Sequence, residues 1–556
     1  MTPYPSRLSL QCKRLAIAAT LLWTHSLRAD PVEEIALKGG LDRWDFLVLA
    51  IYILMVLGMG CYYHLKQRSA DEYFVGNRKM SPFLIGISLY ASMLSTLSYL
   101  AYPGEIIQHG PIYLTGVLSV PIAYYIVGYV LLPVYMKQQV TSAYELLEAK
   151  LGIGARITGA VLFILLRLAW MALLIYLASS ALLLMTGLDA RWLPAISAAT
   201  GTVAILYASM GGLRAVVWTD LFQFALLFGG AVFVIGQITF RMGGFHWFPT
   251  EWSPSWDAQP VFSLDPTVRA TLIGMVVMQL VFRVCTAGSD QTMVQRFMAT
   301  QDAAAARRSY LVQSIAAVAV TVFLGLMGFA LLGFFQAHPE MLGSPDLTTE
   351  GDSMFPLYIA NFLPSGFSGL IVSALFAAGM SSIDSGVNSI TAVVRRDFLD
   401  RFNLAHPDPN RSLRFNKILA GSIGITVILL SLGAEHVPGN FLEVAQRTAN
   451  LLIPALFGLF IYALFIPFAT GAGALLGTLS GCIAAVLIGF WEPFTGLPSL
   501  SFQWIGLGSL IANMAVGVPM SYLTYNASRA TRKWRIRIGT ITVILAYILI
   551  LVVASA

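Results

Sequence analysis

Charged side chains are scarce in this chain, at 11% of its 556 residues, where soluble domains carry about 25%. That shortage excludes a water-soluble globule, which would need far more polar surface to cover a core of this size. Cysteine is scarcer still. Cys12, Cys61, Cys285 and Cys482 are scattered, three of them inside apolar stretches, so neither a disulfide framework nor a zinc spacing is present. The histidines form no H-E-x-x-H, and no G-x-x-x-x-G-K-[ST] occurs, which removes zinc-protease chemistry and an ATP-driven pump. Paired catalytic carboxylates are also missing, so the chain is not expected to be an enzyme. The formal charge of +6 does not indicate nucleic acid, because the basic residues sit in short loops between apolar blocks.

What the chain has in abundance is apolar sequence, 57% of all residues, in blocks of about 20, the length that crosses a bilayer as helix. About 14 spans are expected, at 44–63, 82–107, 111–135, 157–185, 192–210, 217–240, 272–288, 310–335, 362–387, 418–432, 441–465, 471–490, 504–525 and 538–553. Alternate loops differ in basic residues. One set holds Lys66, Arg68, Arg78 and Lys79, then Lys137, Lys150 and Arg156, Arg214, Arg296 with Arg307 and Arg308, the Arg395–Lys417 group and the Arg529–Arg537 group. The other holds little beyond Arg191, Arg241 and Arg269. The bias places the first set in the cytoplasm and both termini outside, in a bacterial inner membrane or a plasma membrane. Residues 1–43 read either as a signal peptide, with Arg7, Lys13 and Arg14 ahead of the apolar run 15–23, or as a plain extension.

Polar residues interrupt the spans at three places. Ser88–Ser98, SLYASMLSTLS, lies inside the second span and runs on to Tyr102-Pro103-Gly104-Glu105. Broken helices of this kind expose carbonyls that can hold a sodium ion. In the ninth span, Ala378, Ser381 and Ser382 stand at i, i+3 and i+4, hence on one helix face. They offer neutral oxygens to a hard cation, or simply small surfaces for close helix packing. Buried charge is the third feature: Arg167, Arg283, Asp220 and Asp290 lie in or at the edge of spans. Each arginine is read as a contact for an anionic solute or as half of a structural pair. Each aspartate is close enough to a span end to snorkel to water. Asp384, beside the serines, has no assigned role.

Several segments together resemble the sodium:solute symporters, the family that includes the sodium–glucose cotransporters. Gly211–Asp220, GGLRAVVWTD, is similar to a family signature, as are Asp290-Gln291 with Val294-Gln295-Arg296, and Ala378–Ser389, AGMSSIDSGVNS. Loops 69–82 and 141–152 are similar as well. The resemblance implies an all-α LeuT-like core of ten helices in two inverted repeats of five, the second to eleventh spans (82–468). A peripheral helix at 44–65 precedes it and three more follow in 469–556. It implies a sodium site made by backbone oxygens of Ala91, Leu94 and Ala378 and hydroxyls of Ser381 and Ser382, with Asp220 on the ion's exit route. Sodium is then the coupling ion, with no other cofactor, and the partners are sodium, a small solute and the bilayer. With the resemblance added, ion binding is favoured over packing for the serines.

Candidate solute contacts are Ser92, Ser95, Ser98, Arg167, Arg283 and Thr286. Where sugar carriers of the family place an Asn and a Glu-Gln pair, this chain has Met93, Leu97 and Ser98, and Thr286 replaces an aromatic gate. Ser95–Glu105 is closer to the branch carrying monocarboxylates, vitamins and iodide. An organic anion is therefore the first expectation for the solute and a sugar or polyol the second; a sensor or channel on the same fold ranks below both.

Overall fold

The computed structural model describes residues 40–66, 80–138, 140, 142–254, 256–258, 260–342, 346–404, 409–433, 440–526, 528, 531–532, 534–541, 543 and 547. The N-terminal segment 1–39, the basic loop 67–79 and most of the last expected span, 538–553, lie outside the described residues. Those described form helices and connecting turns, with no strand among them.

In chain order the principal helices are α1 (Arg43–Lys66), α2 (Pro82–Ala91), α3 (Thr96–His109), α4 (Pro111–Tyr135), α5 (Glu145–Leu151), α6 (Ile153–Thr186), α7 (Leu193–Arg241) and α8 (Leu272–Ser289). They continue with α9 (Gln291–Met298), α10 (Ala303–Ala337), α11 (Gly351–Phe362), α12 (Phe367–Val393), α13 (Pro409–Ser431), α14 (Phe441–Phe465), α15 (Gly471–Gly489) and α16 (Ile505–Thr524). Among the described residues, 11 helices are long and apolar enough to cross a membrane, or 12 if the bent pair α2–α3 counts as one. The difference from the expected count has two sources. The last span is outside the described residues, and the spans expected at 192–210 and 217–240 run as one helical segment, α7. At about 1.5 Å per residue its 49 residues would measure about 74 Å, enough for two crossings of a hydrocarbon layer about 30 Å thick. Both halves lie within the bundle: Gly201 packs against Ile428 of α13 and Ile175 of α6, and Gly230 against Ile371 of α12 and Tyr99 of α3.

Capping residues set the boundaries that matter for the site. Ser95 caps α3 by accepting from the Ser98 amide at 3.3 Å, and α3 ends at Gly110, whose φ of 86° suits glycine, just before Pro111. Asp290 stands between α8 and α9 with extended backbone and caps α9 through the Thr292 amide at 2.8 Å. Side-chain caps contribute about 1 kcal/mol each. The helix opening each expected half of the core is thus interrupted, once at 92–95 and once at Asp290. α12 is buried along nearly its whole length and packs on α6 and α7, whereas α1 turns exposed apolar side chains outward.

Candidate functional site

The bend between α2 and α3 is 63°. Ala91 closes α2, and the Ser92, Met93 and Leu94 amides fold back onto Ser88 and Tyr90 carbonyls. The chain then leaves helical geometry, which frees carbonyl oxygens in the middle of the bundle. Opposite them lies α12. Its Ser382 hydroxyl reaches the Leu94 carbonyl at 3.2 Å and the Ser92 carbonyl at 3.3 Å. Thr96 Oγ1 donates to the Leu375 carbonyl at 2.7 Å, fastening the start of α3 to the same helix. Gly379 is required here, since a Cβ would stand 2.8 Å from Thr96 Oγ1. Ala91, Leu94, Ala378, Ser381 and Ser382 are all buried. The fold therefore draws together the break of α2–α3 and the small-residue face of α12, two regions almost 300 residues apart in sequence.

Ser381 turns the other way and donates to Asp220 Oδ1 at 2.5 Å. Asp220, on α7, also accepts from Ser88 at 2.5 Å and lies 3.3 Å from Nη2 of Arg296 on α9. Arg296 further donates to Ser88 at 2.8 Å, to Ser385 at 2.7 Å and to the Thr292 carbonyl at 3.2 Å, and Ser385 meets Ser92 at 3.0 Å. Four helices (α2, α7, α9 and α12) thus converge on one ion pair. This corrects two expectations. Asp220 does not snorkel to water, being 0% exposed, and Arg296, counted from sequence among the cytoplasmic loop cations, is 1% exposed. A charge so deep is held only with a partner, and each supplies the other's.

Beside this cluster lie two adjoining cavities of about 80 Å³ each. Both are lined by Met93, Ser98, Tyr102, Gln279, Phe282 and Thr286. Of the expected solute contacts, Ser98 and Thr286 line both cavities, Arg167 one of them and Arg283 the other. Ser92 and Ser95 line neither; Ser92 is bonded to the Ser88 carbonyl at 2.7 Å and Ser95 serves as the α3 cap. Arg167 is paired with Asp290 at 2.5 Å, both nearly fully buried, so Asp290 does not snorkel either. Arg283 has no carboxylate within 4.0 Å among the described residues, and its buried Nε makes no hydrogen bond there. Sequence reasoning missed the amide wall of the cavity. Gln279 and Gln446 both donate to the Tyr113 hydroxyl, at 2.8 and 3.1 Å. Isolated glutamines in apolar helices carry no motif.

Two further ionic clusters flank the cavity. At the α3 end, Glu105 takes a bidentate bond from Arg269 at 2.6 and 2.8 Å and a third from Asn440 at 3.2 Å. Asp352, at the start of α11, accepts from the first amide of α14, Phe441, at 2.8 Å. Burial pushes its carboxyl up to about 7, against the pull of that amide. At the other end, Arg156 links Asp397 at 2.7 Å to Glu148 at 2.7 Å, and Arg401 also binds Glu148 at 2.6 Å. Hydrogen bonds from Arg401 and Arg156 hold the Glu148 carboxyl below its usual range. Arg156, like Arg296, is thus buried in an ion pair rather than free in a loop.

Comparison with known proteins fits this geometry. The sequence model of the sodium:solute symporter family matches residues 73–481. A sodium/sialic acid symporter of Proteus mirabilis is 28% identical over 459 residues, covering 80% of this chain and 88% of the relative. Sodium-coupled monocarboxylate transporter 1 of Xenopus laevis is 28% identical over 494 residues, 85% of this chain and 77% of that protein. Among solved structures, a sodium-coupled sialic acid symporter in a substrate-bound, outward-open state superposes with a TM-score of 0.74 at 25% identity, over 87% of this chain and 98% of that one.

Proposed function

Because the chain belongs to the sodium:solute symporter family, a sodium-coupled carrier with a LeuT-like fold, we propose that the solute it moves is an organic anion. One observation carries this reading. Of the two arginines lining the cavities, Arg167 already holds a carboxylate, whereas Arg283 holds none among the described residues. A guanidinium in an apolar site leaves about 2–3 kcal/mol of charge-assisted bonding unmade until an anion arrives. The names of the relatives agree, since sialic acid and monocarboxylates both bear a carboxyl group.

Sodium binds, in this reading, between the 92–95 break and α12, with backbone oxygens of Ala91, Leu94 and Ala378 and hydroxyls of Ser381 and Ser382 as ligands. The Ser381 bond to Asp220 leaves the hydroxyl oxygen's lone pairs for the ion. An ion there pulls the break against α12, and the break residues Met93 and Leu94 also line the solute cavity. Ion occupancy thereby orders the wall that the solute meets, and alternating access follows as the interrupted helices α2–α3 and α8–α9 rock against the remainder. One charge moving down 100 mV releases about 2.3 kcal/mol, more than the ~1.4 kcal/mol that a tenfold solute gradient requires. One sodium per solute therefore suffices for modest accumulation.

The test is uptake by proteoliposomes under an inward sodium gradient, with labelled sialic acid, lactate and glucose. Accumulation of an acid above the outside concentration, lost in potassium and reduced at least about tenfold by Arg283→Gln, supports the reading. Sodium-driven glucose uptake that Arg283→Gln leaves intact replaces it with the sugar reading. Uptake that never exceeds equilibrium points to a channel.

A further inference from the structure

Hydroxyls in these helices are, as a rule, satisfied locally. Ser289, one turn beyond Cys285, donates to that residue's carbonyl at 2.7 Å, and Ser314 donates to the Tyr310 carbonyl at 2.7 Å. Thr286 departs from the rule, because its buried Oγ1 makes no hydrogen bond among the described residues, although a carbonyl lies one turn back on its own helix. Gln313, on α10, is 6% exposed, and its Oε1 is likewise buried and unbonded. With Arg283 Nε, these atoms belong to side chains lining the same cavity. Arg283 and Thr286 stand one turn apart on α8. Gln313 stands one turn from Tyr310, which lines the same cavity and lies within the field of the Arg283 charge. Orphaned polar atoms are rare in interiors, and each costs about 1–3 kcal/mol. Unbonded buried atoms occur elsewhere in the bundle too, but here three belong to the lining of one cavity, beside an arginine without a counter-ion among the described residues, and together they outline a ligand's polar groups.

The chemistry of that outline is specific. Arg283 only donates, so it takes the carboxylate. A side-chain amide presents one acceptor and one donor, whichever way it is turned. A carboxylate with no other polar group can satisfy the donor and leaves the acceptor bare. We propose that Gln313 is a specificity-determining residue, which with Thr286 selects carboxylates bearing a hydroxyl or N–H donor near the carboxyl group over donor-free acids and halides. This rests on the organic-anion reading and narrows it.

The experiment measures solute affinity of the purified full-length protein in sodium, from thermal shifts, with donor-bearing probes (lactate, glycerate, sialic acid) and donor-free ones (propionate, iodide). Wild type is compared with Gln313→Leu, which keeps the volume, and Gln313→Glu, which keeps the acceptor and adds a charge that repels anions. Wild type should bind donor-bearing acids at least about tenfold more tightly than donor-free ones. Gln313→Leu should lose that margin by weakening the donor-bearing set more than the donor-free set, and its stabilisation by sodium alone should match wild type, which shows that it folds. Gln313→Glu should bind neither set. Equal affinity of wild type for lactate and propionate, or equal weakening of both sets by Gln313→Leu, overturns the proposal while leaving the organic-anion reading intact. Binding of no anion to wild type overturns both.

Discussion

The pair Asp220–Arg296 offers a quantitative test of how the region of the proposed ion site is held. At an N–O distance of 3.3 Å, two unit charges in an effective dielectric of 20 attract by about 5 kcal/mol. Removing one partner from a buried pair costs about 3–5 kcal/mol, because the other is left charged in a dry interior. Asp220→Asn keeps the shape, and Arg296 then retains Ser88, Ser385 and the Thr292 carbonyl. Asp384 also lies within reach of its charge. The loss should accordingly fall at the lower end, about 3 kcal/mol. Arg296→Met leaves Asp220 with two serine hydroxyls and no cation, and should cost about 4–5 kcal/mol. The double variant removes both charges together and should recover at least about 2 kcal/mol of the summed losses.

The assay is a thermal melt in detergent at fixed low sodium, followed by a sodium titration of each variant. If the pair only braces the bundle, the double variant regains both its stability and its sodium response. If Asp220 also orients Ser381 toward the ion, stability returns while sodium sensitivity stays depressed. Strictly additive losses would refute the reasoning, since they would mean that the two charges do not sense one another.

Three other outcomes are expected. Ser381→Ala with Ser382→Ala removes two of the proposed ion ligands and should bring sodium-stimulated uptake to background with normal membrane insertion; normal uptake would eliminate that site. Asp352, with its carboxyl raised to about 7, binds a proton more tightly in this conformation than when exposed near 3.9. Its contribution is therefore full below about pH 4 and lost as pH rises through about 7. Thermal stability should gain an Asp352-dependent increment between pH 8 and pH 5, which Asp352→Asn flattens; an unchanged slope in the variant would disprove the assignment. Arg156→Met strands Asp397 and should cost about 3 kcal/mol or more, whereas Asp397→Asn leaves Arg156 bonded to Glu148 and the Arg396 carbonyl and should cost about 1 kcal/mol. Melting curves showing the reverse order would contradict this picture.

Much of the architecture is legible in sequence because a bilayer imposes a blunt rule: apolar blocks of about 20 residues become helices. The polar interruption at 88–98 marks the break of α2–α3, since hydroxyls and irregular backbone are tolerated at that depth only where neighbours satisfy them. The facing serines of α12 follow from i, i+3, i+4 spacing. Arg296 reads as a loop cation because a basic residue just past an apolar block normally is one. Only three-dimensional closure shows that short α9 carries it back into the bundle, beside Asp220. The continuity of α7 was not legible, as nothing in 193–241 distinguishes a tight connection from an uninterrupted helical path. Gln279, Gln313 and Gln446 could not have been singled out, because an uncharged amide in an apolar helix gives no signal until its neighbours are known.

On the proposed reading, the distribution of charge both makes the solute cavity selective and braces the fold around it. Each interruption in a core helix is braced by an arginine from elsewhere in the chain. Arg296 on α9 reaches the end of α2 through Ser88, and Arg167 on α6 holds Asp290 between α8 and α9. Both pairs are internally neutral, so they can hold irregular backbone at membrane depth without recruiting an ion or a solute. Arg283 is different, because the protein supplies its surroundings, Tyr310 and Gln313 among them, without a countercharge among the described residues. A solute that provides that charge contributes its binding energy at the one place where α8, α10 and the 92–95 break meet. On the proposed reading, that placement lets occupancy, rather than the static ion pairs, decide which conformation the carrier adopts.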